Sequence, residues 1–273
     1  MKLAALAAAA AASVTGSSIS AGAHFLRSRQ LANGGFAEAG AAAYPQLSAW
    51  AALGLSAAGA GDDPAAFKYL LAHEGDLSSA SDVALALLAE AALADETHLV
   101  GRLRRFMRTS GAFGKNVNGT IWSVIALRQA RATVPASTIH WLLRRQTRAG
   151  GWSWNVGGAP DSNDTAAAVE ALRSIGLRGA PIHRALHFLA GFRNGDGGFE
   201  LTHGRGSDAQ STAWVAQAYI AAGRPPPRGA LVYLRRLQRG DGSFRYSARY
   251  STTPVWVTAQ VLPALARRPF PLG

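Results

Sequence analysis

Cysteine is absent from all 273 residues. That excludes disulfides, thiolate zinc sites and a cysteine nucleophile, and it leaves the compartment open. Lysine is scarce: Lys2, Lys68 and Lys115 are the only ones, and the rest of the 28 basic residues are arginine. No strand-like alternation of any length occurs. No apolar stretch is long enough to span a bilayer as a helix. No Pro/Ser-rich linker or charge block divides the chain, so one large domain with a sizeable core is expected.

The net charge of +12 raises the question of nucleic acid. No recognition motif accompanies it, and no nucleic-acid partner is expected. The arginines have a regular address instead. Arg27 and Arg29, Arg144, Arg145 and Arg148, and Arg235, Arg236 and Arg239 fall late in helical patterns. There a cation meets the negative end of the helix dipole, worth about 0.3–1 kcal/mol. A second reading is an arginine-rich rim facing an anionic ligand or making peripheral membrane contact.

Lys2 followed by the apolar run Leu3 to Ala12, with small residues at Ala10-Ala11-Ala12, has the look of a secretory signal. The other reading is an alanine-rich start with no targeting role. Residues 1–15 are therefore set apart as a signal segment, with a secreted or extracytoplasmic location the expectation and a cytoplasmic one the alternative. Residues 16–273 form the domain.

A phrase of fixed spacing recurs. Trp141-Leu142-x3-Gln146-x3-Gly150-x-Trp152 reappears as Tyr233-Leu234-x3-Gln238-x3-Gly242-x-Phe244 and as Phe25-Leu26-x3-Gln30-x3-Gly34-x-Phe36. Phe188-Leu189-x3-Arg193-x3-Gly197-x-Phe199 has arginine at the glutamine place. Weaker copies run from Ala66-Phe67 to Gly75-Asp76-Leu77 and from Arg102-Leu103 to Gly111-Ala112-Phe113. A repeat of about 40 residues thus organises the chain. Each copy holds a first helical pattern, a glycine-rich turn and a second pattern such as Thr165, Ala168, Val169 and Leu172. Second helices are expected near Ser48, Ser81, Thr120, Thr165, Thr212 and Pro254, giving six pairs.

The phrase resembles the QW motif of the prenyltransferase and squalene-cyclase repeat superfamily, over residues from about 20 to 265. The resemblance implies an all-α, closed (α/α)6 toroid, with second helices in the inner ring and first helices in the outer. It also implies that the glutamine and the aromatic tie neighbouring repeats together. Arg193, Met107 and Leu71 at the glutamine place imply that three of the six ties are altered.

Aligning the inner helix starts brings side-chain amides into register. Asp161-Ser162-Asn163-Asp164-Thr165 matches Asp208-Ala209-Gln210-Ser211-Thr212, Asn116-Val117-Asn118-Gly119-Thr120 and, more loosely, Tyr44 to Ser48. Two residues before the Thr or Ser stand Gln46, Asn118, Asn163 and Gln210, and two after the helix-start position stand Trp50, Trp122, Trp214 and Trp256. Helix capping explains Asp161 and Asp164 locally, and core packing explains the indoles. In a toroid, however, all inner helix starts face one end of a central cavity. Amides with broad apolar rings there suit a largely apolar ligand with a few polar groups. With Trp154, just upstream of the pentad, these residues form the candidate binding set.

The pentad also resembles the Asp-x-Asp-Asp-Thr-Ala motif of squalene–hopene cyclases, whose middle aspartate is the general acid for the substrate alkene. Asn163 stands there, and an amide cannot deliver that proton. A relocated acid would be Asp161, Asp164 or Asp208. Prenyltransferase β subunits need a zinc-ligating cysteine, which this chain lacks. His183 and His187 lie at helical spacing without a nearby Glu, so no metal and no cofactor are expected. Three readings follow. The first is a non-catalytic toroid binding a terpenoid- or cofactor-like molecule, as in cobalamin carriers of this fold. The second is a terpene cyclase-like or prenyl-processing enzyme with a relocated acid. The third is a protein-binding scaffold, with apolar residues exposed outside and a filled centre.

Overall fold

The computed structural model describes residues 16–272; the expected signal segment lies outside them. Among the described residues, helices alternate with glycine-rich turns and no strand forms beyond isolated bridges in those turns. The outer helices are α1 (16–27), α3 (Pro64–Ala72), α5 (Leu99–Arg104), α7 (Ala136–Leu143), α9 (Ala180–Ala190) and α11 (Ala230–Arg236). The inner helices are α2 (Pro45–Ala57), α4 (Ala80–Ala94), α6 (Val117–Gln129), α8 (Ser162–Ser174), α10 (Ala209–Ala221) and α12 (Pro254–Leu265). Inner helices contact one another in the order α2, α4, α6, α8, α10, α12 and back to α2, closing a toroid of six pairs.

Most inner-helix residues are buried and apolar, although α8 also carries Asp164, Glu170 and Arg173. Every residue of α6 from Val117 to Leu127 is buried. Outer helices are short and two-faced; α9 buries Ile182, Ala185, Leu186 and Leu189 and exposes His183 and His187. Small residues set the closing contact. A Cβ on Gly54 would stand 2.8 Å from the Ala259 backbone, so α2 and α12 pack main chain to main chain.

Inner helices start up to three residues earlier than expected, because the capping residue lies four before the threonine. Asn116, Asp161 and Asp208 accept from Gly119, Asp164 and Ser211 backbone N–H groups at 2.7–2.8 Å. That places the threonine inside the first turn, where it has another partner. Ser48, Thr120, Thr165, Thr212 and Thr258 each accept, at 2.9–3.0 Å, the backbone N–H of the buried aromatic ending the preceding turn: Phe36, Phe113, Trp152, Phe199 and Phe244. In five of the six repeats one hydroxyl thus pins the outer-to-inner turn and gives that buried donor a partner.

Neighbouring repeats are joined along the outer ring. Gln30 Nε2 donates to Asp63, Gln146 Nε2 to the Pro181 carbonyl and Gln238 Nε2 to the Ser18 carbonyl. One of the three altered ties is still made. Arg193 differs in chemistry but still reaches the next repeat, donating to the Arg228 carbonyl at 2.9 Å. The adjoining glycine is pressed against the following helix: Gly242, at φ +88°, would put a Cβ 2.2 Å from the Ala21 carbonyl oxygen. Glycine alone fits both the left-handed backbone and the close approach.

Several of these arginines have specific partners: Arg27 pairs with Asp63 at 2.6 Å, and Arg29 and Arg145 lie over the Phe25 and Trp141 rings. No described helix is long and apolar enough to cross a membrane.

Candidate functional site

A cavity of about 490 Å³ opens at the N-terminal end of the inner helices. Two stacked rings line it. The upper ring takes the residue two before the pinning hydroxyl in each repeat: Gln46, Ser81, Asn118, Asn163, Gln210 and Trp256. The lower ring takes the residue two after it: Trp50, Leu85, Trp122, Ala167, Trp214 and Gln260. Four residues apart on a helix is one turn, so both rings face the axis at successive depths. Val83 takes the hydroxyl place in the second repeat, which explains why that repeat was not aligned from sequence.

All nine residues of the candidate binding set line this cavity, including Trp154, which is 52% exposed at the rim. Trp256 reaches it by a different register from the one expected. The counterpart of the other pinning residues is Thr258, so Trp256 lies in the amide ring and Gln260 takes the tryptophan place. Gln260 Oε1 accepts the Trp214 indole N–H at 3.1 Å.

Trp50, Trp122 and Trp214 come from alternate repeats and converge on the axis. Their rings meet edge to face, with centroids 5.2, 5.3 and 5.8 Å apart, a favourable aromatic arrangement. Phe270 of the C-terminal segment packs beneath all three at 6.0–6.5 Å. Its backbone N–H donates to Glu170 at 2.6 Å, a fully buried carboxyl that burial raises well above its ordinary pKa. The toroid is therefore closed at one end and open at the other. The tryptophans are at once core and cavity floor, and Ala167 is the smallest side chain of the lower ring.

That pair is Asp161 and Asp164. Asp164 is 4% exposed. Burial first and the neighbouring Asp161 charge second raise its pKa to about 8, against the Asn118 amide, which donates to it at 2.8 Å. Asp161 is also raised by burial, offset by the Asp164 backbone N–H and side chain. Burial and the neighbouring charge thus favour the protonated form of Asp164 beside Asp161. A parallel bond joins Gln46 to Asp82 at 3.0 Å, but Asp82 is lowered, because the Gln46 and Ser79 hydrogen bonds outweigh its burial. Gln46 and Asn118 thus each hold a carboxyl of the next repeat.

Asp208 does not belong to the site. Its carboxylate caps α10 through Ser211 and is absent from the lining, so the expectation that it serves as a relocated acid is corrected. A grouping that the sequence reading missed lies elsewhere: Glu74, Glu90 and His98, within 4.8 Å of one another by their ligand atoms. Helical spacing could not reveal it, since the three come from a turn, the end of an inner helix and a helix cap.

The geometry defines a closed α/α toroid with one axial cavity, and comparison with known structures agrees. The chain has the fold of the type II terpene cyclases. The cyclase MstE from Scytonema aligns at 17% identity over 93% of this chain and 97% of that one, with a TM-score of 0.71. A protein from Actinoplanes aligns at 20% identity over 93% and 99%, also with a TM-score of 0.71. A glycosidase variant in complex with glucose aligns at 14% identity over 93% and 97%, with a TM-score of 0.67. No family model and no curated protein matches the chain.

Proposed function

We propose that the protein binds a largely apolar, prenyl-derived small molecule end-on in the axial cavity, without turning it over. The tail rests on the tryptophan floor and an oxygenated head meets the amide and carboxyl ring. The observation that carries this reading is the stacking of those two rings, apolar below and polar above, around a space within the usual range of ligand pockets (about 300–1,000 Å³). Structures of MstE variants complexed with geranylgeranyl dihydroxybenzoate as substrate and merosterolic acid A as product support the ligand class. The three floor indoles meet edge to face, which favours an apolar tail over flat stacking of a sugar there, although the glucose-bound glycosidase shares the fold. The third expectation, a scaffold with a filled centre, fits the open cavity less well.

Asp164 supports a second reading, cyclase-like proton transfer, because a protonated carboxyl lines an apolar space. Its raised pKa weighs against that reading. Alkene protonation demands a strong acid, whereas Asp164 holds its proton tightly. Such a carboxyl is better suited to donating a hydrogen bond to a ligand oxygen.

Tryptophan fluorescence and thermal unfolding with prenyl alcohols, prenyl diphosphates, prenylated phenolic acids and glucose test both readings. A response confined to prenyl compounds, with no new product by mass spectrometry, is expected. Silence across the panel removes the binding reading. A cyclised product lost in Asp164→Asn establishes the enzyme instead.

A further inference from the structure

Glu90 lies eight residues beyond Asp82 on α4, about 12 Å along the helix and away from the cavity. It is fully buried, and neither carboxylate oxygen has a hydrogen-bond partner. An unpaired buried carboxylate is costly unless a cation or a proton neutralises it. Its Oε2 stands 3.9 Å from His98 Nε2, too long for a hydrogen bond. His98 Nε2 is 2.5 Å from Glu74 Oε1, and its other ring nitrogen is 3.3 Å from Glu96 Oε1.

We propose that Glu74, Glu90 and His98 bind a single first-row divalent cation, zinc by the ligand set, which staples the second helix pair to the third. One imidazole and two carboxylates suit zinc, whose ligand atoms at about 2.0–2.2 Å stand about 3.3 Å apart around the ion. The present separations of 2.5 and 3.9 Å from His98 bracket that value. A carboxylate on the far ring nitrogen, here Glu96, is the usual partner of a metal-bound histidine, fixing its tautomer and orientation. His98 is 42% exposed by its side chain, which gives an ion a way in.

The repeat pattern supplies a reason for a staple here. In the first pair Gln30 ties to Asp63, the cap of α3. The equivalent residue of the second pair is Leu71, which cannot make that bond. The cap it would reach, before α5, is His98. Glu74 and Glu90 meet His98 where the amide tie is missing, and Arg102 reinforces the joint by donating to the Glu74 and Leu77 carbonyls at 2.6 and 2.5 Å.

The test uses untagged full-length protein, stripped with a chelator and titrated with zinc chloride against a chromophoric competitor. Thermal unfolding is followed in parallel. One equivalent of bound zinc is expected, with a rise in melting temperature that equal magnesium does not give. Glu96→Gln is expected to weaken binding about 10–100-fold, and Glu90→Gln and His98→Ala each to weaken it further. Loss of the exposed His98 ring spares the core, so His98→Ala remains decisive should Glu90→Gln fail to fold by far-UV dichroism. The His183→Ala/His187→Ala double variant is expected to bind normally. Absence of stoichiometric zinc, or binding retained in both Glu90→Gln and His98→Ala, overturns the proposal and leaves a cluster balanced by protons alone.

Discussion

Gln238 Nε2 in the last helix pair donates to the Ser18 carbonyl in the first, at 2.8 Å, joining residues 220 apart in sequence. On the inner side of the same seam, Glu38 accepts the Val255 and Trp256 backbone N–H groups at 3.1 Å and so caps α12. α1 packs there too: a Cβ on Gly22 would meet Leu262 and Phe244 at 2.9 and 3.4 Å.

A ring with such a seam should unfold as a unit. Deleting residues from Arg228 onward is expected to abolish cooperative melting, whereas an open solenoid would only shorten. Glu38→Ala is expected to cost about 0.5–2 kcal/mol as a lost cap, lowering the melting temperature by about 2–4 °C per kcal/mol. A truncated chain with unchanged helicity and melting would rule out closure as a source of stability.

The pinning hydroxyls should matter more than their small size suggests. Thr165→Val keeps the shape but leaves the Trp152 N–H buried without a partner. A loss of about 1–3 kcal/mol is expected, read as a lower denaturant midpoint at constant slope. A change within error would mean that the turn finds another acceptor.

Asp164 should make stability depend on pH in a defined direction. Its folded pKa, about 8, lies above the ordinary aspartate value, so the folded state holds a proton that the unfolded chain releases. Its contribution is greatest below the ordinary value and is lost as pH rises toward 8. Asp164→Asn keeps the bond to Asn118 without the charge. It is expected to melt higher than the parent at pH 8 and to show a flatter pH profile. Parallel profiles for the two proteins would show that Asp164 is ionised in the fold.

Floor and rim should separate by mutation. Trp122 and Trp214 pack against Trp50 and Phe270, so alanine at either is expected to cost about 3–5 kcal/mol of stability as well as binding. They are poor probes of a ligand for that reason. Trp154, half-exposed, and Asn163 are the better ones. Trp154→Ala and Asn163→Leu are expected to weaken prenyl-ligand binding several-fold, with melting within about 2 °C of the parent, since each lies outside the packed floor. Unchanged affinity in both would move the ligand away from the rim.

Much of this architecture was readable along the chain, because a repeat is a local signal. The phrase ending at Phe36, Trp152, Phe199 and Phe244 marks each turn, and amides two before a threonine mark the inner helix starts. Register failed where the local pattern failed. The last repeat starts at Pro254 but pins through Thr258, so Trp256 lies in the amide ring and Gln260 takes the tryptophan place, and Val83 kept the second repeat out of the amide register.

By itself, then, the sequence determined the helix pairs, their number, the faces they bury and the absence of an acid at Asn163. Each of these depends on neighbours within one or two turns. Tertiary structure decided what needed helix pairs packed together. Three tryptophans from alternate repeats meet on the axis with Phe270 beneath them, Asp164 becomes a proton-holding group at the wall of a cavity, and Glu90 faces His98 from the next repeat. Spacing along a helix fixes direction. Only packing fixes which distant groups share a low-dielectric space, and that sharing sets their protonation and their chemistry.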